Sequence, residues 1–230
     1  MDKPIILDPK QSADSAVIWL HGLGATKEDF LPVAQILQRD ALPHTRFILP
    51  QAPVRPVTLN NGFPMPSWYD IIALTSPREI KLSELDESSQ SIIALIEAEI
   101  EKGIPLERII LAGFSQGGAV VLHTAFIAYP KNVGGVMALS TYSATFDEAI
   151  TLDEKKKQIP TLHLHGSLDP VVKIELGRAA EQFLKAQGID TRWHDYPMQH
   201  EVINDELQDI AKWLIERLGG GSLEHHHHHH

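Results

Sequence analysis

No cysteine occurs in the 230 residues, which excludes a disulfide framework, a thiolate-ligated metal and a thiol nucleophile together. Basic residues are in deficit, with 20 Lys and Arg against 30 Asp and Glu, a formal net charge of −10. Phosphate recognition depends on clustered cations, so neither nucleic acid nor an anionic membrane surface is expected as the main partner. The only basic run, Lys155-Lys156-Lys157, reads as a solvated face. Long apolar runs are missing too. Nothing approaches the roughly 18 residues of a membrane span, and residues 1–15 carry no apolar secretory core, so the expectation is a cytoplasmic protein with no integral membrane segment. Of the 13 histidines, six form a terminal run after Leu223-Glu224 that reads as an expression tag, with 219–222 as its linker. Residues 1–218 remain as a single domain large enough to bury a full core.

What is present is a regular alternation of short β-branched runs and amphipathic segments. Ala16–Leu20, Arg46–Leu49, Ile109–Ala112, Gly134–Ser140 and Thr161–His165 read as buried strands, and Asp190–Tyr196 alternates as an edge strand would. Between them, Asp29–Arg39, Ser83–Lys102, the segment after Ser115, Lys173–Gln187 and Val202–Leu218 carry helical spacing, with Ser83 and Asp86 placed to cap the longest. The pattern predicts an α/β fold with a mostly parallel central sheet and helices on both faces. In such sheets functional groups collect on loops at the carboxyl ends of the strands.

The stretch Arg108–Ala125 is the centre of the chain. Gly113-Phe114-Ser115-Gln116-Gly117 is a G-x-S-x-G between a strand and a helix, the setting in which a sharp turn lifts a serine hydroxyl above the sheet. By chance the pentapeptide turns up in roughly one chain in twenty of this composition, so its context decides. A serine nucleophile needs an imidazole to take its proton and a carboxylate to orient that imidazole, and on this turn the chain order is Ser, then acid, then His. Asp169 follows the strand ending at His165 and is preferred over Asp147 and Asp153, which have no strand just before them. Beyond Asp169 and before the tag only His194 and His200 occur. His194 lies within the edge strand, whereas His200 lies in a free turn and is the expected base. His123, His163 and His165 read as structural, and their spacing forms no metal site. Two backbone N–H donors must receive the oxyanion, and Gln116 and Leu23, in the turn His21-Gly22-Leu23-Gly24, are the candidates.

From Gln51 to Pro77 runs an irregular stretch rich in Pro, Asn and Gly. A loop of that length in a compact domain is usually functional. If it folds over Ser115, Met65 and Trp68 form the wall of an acyl site; otherwise its apolar side chains cover the core.

The motifs HGLG (21–24), PSWYD (66–70), GFSQGG (113–118), HGSLDP (165–170) and PMQHEV (197–202) together resemble the carboxylesterase/acyl-protein thioesterase (phospholipase/carboxylesterase) family of α/β hydrolases over nearly the whole chain before the tag. The resemblance implies cofactor-free hydrolysis of small-molecule carboxylic esters or of thioesters, with Ser115, Asp169 and His200 as triad, Leu23 and Gln116 as oxyanion donors and Trp68 in the acyl-site loop. It also leaves a homodimer open. One position departs: the family's glycine before the histidine is Gln199 here. If that loop needs φ > 0, Gln199 strains it and displaces His200; if the backbone is extended, its amide borders the entrance. The expected activity is a serine carboxylesterase acting on short- to medium-chain esters. The rivals are an acyl-protein thioesterase or lysophospholipase and, from another class, an inactive hydrolase fold used as a binding module.

Overall fold

A computed structural model describes residues 2–219. In chain order its elements are β1 (Ile5–Leu7), β2 (Ser15–Leu20), α1 (Leu31–Asp40), β3 (Thr45–Leu49), β4 (Val54–Pro56), β5 (Pro64–Pro66), β6 (Ile71–Ala73), β7 (Glu79–Ile80), α2 (Leu82–Glu101), β8 (Ile109–Phe114), α3 (Gln116–His123), β9 (Gly135–Leu139), β10 (Thr161–Gly166), α4 (Ile174–Ala186), β11 (Thr191–Tyr196) and α5 (Asn204–Leu214). Seven strands form the central sheet in the order β1-β3-β2-β8-β9-β10-β11. Every pairing is parallel except β1 with β3.

Parallel strands covered on both faces must be apolar on both, and β2 obeys this with all six residues buried. Its side chains alternate between two cores. Ala16, Ile18 and Leu20 join α2, α3 and α4 through Ile92, Val120 and Leu184. Val17 and Trp19 turn the other way, to Leu37 of α1 and Trp213 of α5. β8 and β9 repeat the alternation, with Leu111 and Val136 in the first core and Ala112 and Met137 in the second. The loops after β2, β8, β10 and β11 therefore emerge at one edge of the sheet, which brings His21, Ser115, Asp169 and His200 to the same end.

Several expectations are corrected. β1 has only three residues, too few for a period to register. The 51–77 stretch is not structureless: β4 pairs antiparallel with β5 and β6 with β7, as two small hairpins. Helix α2 starts at Leu82 with Lys81 as N-cap and no side-chain cap, so neither Ser83 nor Asp86 caps it; the Asp86 carboxylate instead meets His123 Nε2 at 2.9 Å. Lys156 is not solvated. It is buried, and its Nζ donates to the Tyr129 and Lys131 carbonyls at 2.6 and 2.9 Å, beyond the end of the helix begun by α3. At the carboxyl end, α5 continues into a π turn over Ile215–Gly219, so Gly219 is buried structure and not linker; 220–222 and the tag lie outside the described residues.

Candidate active site

Ser115 has φ 55° and ψ −119° between β8 and α3, a conformation that costs a non-glycine residue of order 1–3 kcal/mol. Its neighbours explain why the chain can hold it. A Cβ on Gly113 would lie 2.3 Å from the Gly117 carbonyl oxygen, one on Gly117 2.6 Å from the His21 carbonyl oxygen, and one on Gly118 2.5 Å from the Thr141 side chain. Only glycines let this turn pass so close to β2 and to the loop after β9. The turn is then pinned: Ser115 N–H donates to the Leu139 carbonyl at 2.9 Å, and the Ser115 carbonyl accepts from Gly118 N–H at 2.9 Å and Thr141 Oγ1 at 2.5 Å.

Asp169 lies in the loop after β10 with its carboxylate wholly buried. Oδ1 accepts from the Val171 and Val172 amides at 2.8 and 2.9 Å, and Oδ2 accepts from His200 Nδ1 at 2.7 Å. A carboxylate on Nδ1 fixes the tautomer, so Nε2 is the nitrogen left free to accept a proton. The His200 ring packs on Phe114, centroids 4.6 Å apart. Gly166 makes room for this loop: a Cβ there would strike the Met198 and Gln199 carbonyl oxygens at 2.3 and 2.4 Å. His165 sits with Nε2 3.8 Å from Asp169 Oδ2 and donates from it to the Val172 carbonyl at 2.7 Å; burial holds it below the usual imidazole range and therefore neutral. The rival residues are engaged elsewhere. Asp147 and Asp153 accept from amides two residues on, and His194 is exposed on β11.

Gln199 is unstrained. Positive φ outside glycine is confined to Asn61, Ser115 and Ser140 among the described residues, and the exposed Gln199 donates its N–H to Glu201 Oε2 at 2.9 Å. The strained-loop alternative is thereby overturned.

The turn after β2 holds Leu23, the expected second donor. Gly24 N–H is taken by the Pro66 carbonyl at 2.8 Å and Ala25 N–H by the Gly22 carbonyl at 3.2 Å, which leaves the Leu23 amide between them. On the other side Gln116 opens α3, where first-turn N–H groups have no intrahelical acceptor. His21 holds the turn from behind, donating from Nδ1 to the Gly22 carbonyl at 2.7 Å and accepting on Nε2 from the Ala52 amide at 3.0 Å. Burial lowers its pKa and keeps it neutral, which this bonding pattern needs.

Trp68 and Met65 do not line the cavity beside Ser115. Trp68 is fully buried behind the turn: its indole N–H donates to the His21 carbonyl at 2.8 Å and its amide donates to Gln116 Oε1 at 2.8 Å. Met65 lies against Gly24, with Sδ 3.5 Å from where a Cβ would stand. The cavity of about 390 Å³ joins Ser115, Gln116 and His200 to Leu23, Leu59, Ile71, Leu74, Arg78, Phe114, Tyr142, Val171 and Val172. The expected loop does reach the site, through side chains other than those singled out in the sequence. Arg78 and Tyr142 carried no signal, since neither belongs to a periodic segment.

A strained serine between strand and helix, with an Asp–His pair from later loops on the same cavity, is the arrangement of an α/β hydrolase. Solved structures agree: carboxylesterase SOBER1 of Arabidopsis thaliana superposes with a TM-score of 0.82 at 33% identity, over 88% of this chain and 98% of that one. Acyl-protein thioesterase 2 of Zea mays gives 0.83 at 27% identity, over 95% and 100%. A family profile described as Phospholipase/Carboxylesterase matches residues 1–217. Acyl-protein thioesterase 1 of Mycosarcoma maydis is 40% identical over 92% of this chain and 95% of that protein. The chain belongs to the phospholipase/carboxylesterase family, and it is a hydrolase of the serine type.

Proposed function

We propose that residues 1–219 form one catalytic domain, a carboxylesterase hydrolysing short- to medium-chain esters through an acyl-Ser115 intermediate. The observation that carries this reading is the 2.7 Å bond from His200 Nδ1 to a buried Asp169 on the cavity that also holds Ser115. His200 Nε2 takes the Ser115 Oγ proton as Oγ attacks the carbonyl carbon, and the negative oxygen is received by the Leu23 and Gln116 amides. Collapse of the tetrahedral adduct expels the alcohol, which leaves with the proton held by His200. Water then gives a proton to His200 and adds to the acyl carbon, and the second collapse frees the acid and returns the proton to Ser115.

The cavity volume supports acyl groups of modest length, and the apolar side chains Leu59, Ile71 and Leu74 suit their methylenes. Thioester hydrolysis is the second reading, favoured by relatives named acyl-protein thioesterase. A panel of aryl esters from short to long acyl chains, run beside an acyl thioester, tests both. The carboxylesterase reading expects kcat/KM to peak at short or medium chain length; a preference for the thioester or for the longest chains selects the other.

A further inference from the structure

The cavity holds one arginine. Arg78 lies half-buried in the loop between β6 and β7, on the cavity that Ser115 and His200 share. Carboxylates are abundant in this chain, and Arg39, Arg46, Arg55, Arg108, Arg178 and Arg192 each have one within ion-pair distance. Among the described residues Arg78 and Arg217 have none, although the exposed Asp29 lines the same cavity as Arg78. Among the described residues the one hydrogen bond of Arg78 runs from Nη2 to the Val171 carbonyl at 3.1 Å, so most of its five-donor fork has no acceptor there. The guanidinium lies over the Tyr142 ring at 4.6 Å from the centroid, and the Tyr142 hydroxyl is tied to the buried Tyr69 hydroxyl. Stacking and the Val171 bond fix the fork before any ligand arrives, which removes an entropy cost that a free side chain would bear on binding. Ile71, Leu74 and Val171 line the same cavity.

We propose that Arg78 determines specificity by binding an oxyanion group, carboxylate or phosphate, that the ester carries away from its scissile carbonyl. The proposal rests on the serine-esterase reading and narrows its substrates to esters with an acidic acyl or alcohol part. The test compares kcat/KM for two pairs of esters: nitrophenyl hemisuccinate with its neutral isostere nitrophenyl isocaproate, and the butyryl ester of glycerol phosphate with that of glycerol. The first pair places the anion on the acyl side and the second on the alcohol side. In at least one pair, the anionic-to-neutral ratio should fall roughly tenfold or more in Arg78→Gln, the worth of one charge-assisted hydrogen bond. The fall should lie mainly in KM, be larger in Arg78→Glu and be partly restored in Arg78→Lys. In the parent the same ratio should drop with added salt. Ratios equal to the parent's in both pairs would overturn the proposal, because a mere clamp on Val171 would weaken neutral and anionic esters alike. A parent enzyme that turns over none of the four esters would sink the esterase reading itself, and the Arg78 proposal with it.

Discussion

Trp68 is placed one remove from the proposed reaction, since its indole N–H and amide bind the two segments, after β2 and after β8, that carry the proposed oxyanion donors. Trp68→Phe keeps most of the buried volume and deletes the bond to the His21 carbonyl. We expect kcat to fall by about tenfold, within the hundredfold that a 1 Å misplacement of a catalytic group can cost, while the chain-length profile of an ester panel stays as in the parent. A shifted profile would instead place the indole in the acyl site. Direct removal of a proposed catalytic group is harsher: Ser115→Ala should lose on the order of 10⁴ or more in kcat with an unchanged melting curve, and Asp169→Asn roughly 10⁴ through the wrong His200 tautomer. Retention of a tenth of the parent rate in either variant would transfer the role to another residue. Gln199→Gly should bring no gain in kcat, because the backbone there is already at ease.

Elements set the site through close approach. The nucleophile turn touches β2 at the point where Gly117 meets the His21 carbonyl, and neither partner is a flexible side-chain end. Gly117→Ala must therefore push the turn away from the Leu23 amide, separating the two proposed donors. Loss of one such donor costs about 10²–10³ in kcat, and a stopped-flow or steady-state assay beside circular dichroism would separate this from unfolding. An Ala variant with normal kcat would show that the turn relaxes without moving its amides.

Across the whole molecule, buried ionisable groups bend stability with pH in two opposed senses. His21, His163 and His165 are held below the ordinary imidazole value by burial, His163 down to about 3. The unfolded chain binds protons at these sites that the folded one refuses, so their contribution is present above pH 6.5 and is lost as pH falls below it. Glu206, at the start of α5, is opposite. Burial pushes its carboxyl from 4.5 to about 8, so folding holds a proton that the unfolded chain releases, and stability drains as pH rises through that window. Against that burial its carboxylate has only the Ile203 backbone to favour the charged form. Glu206→Gln should thus be more stable than the parent by roughly 1–3 kcal/mol above pH 8 and differ little near pH 4.5. Urea melts at the two pH values check it, and an equal difference at both would show that ionisation of Glu206 is not the cause.

The parallel sheet was legible in the chain because buried strands must be apolar on both faces, as Ala16–Leu20 is. The G-x-S-x-G and the order of Ser115, Asp169 and His200 were legible because turn geometry and proton transfer restrict which residue types can serve. Choosing His200 over His194 needed only the position of the last strand. What lines the cavity was not legible. The stretch between β3 and α2 has no single period, so nothing local distinguishes Trp68, which turns inward beneath Gln116, from Leu59, Leu74 and Arg78, which face Ser115. Lys156 looked like surface for the same reason: the carbonyls that draw it inward belong to residues 129 and 131. Local pattern specified the elements and the candidate reacting groups, whereas long-range contact alone decided which side chains close around them.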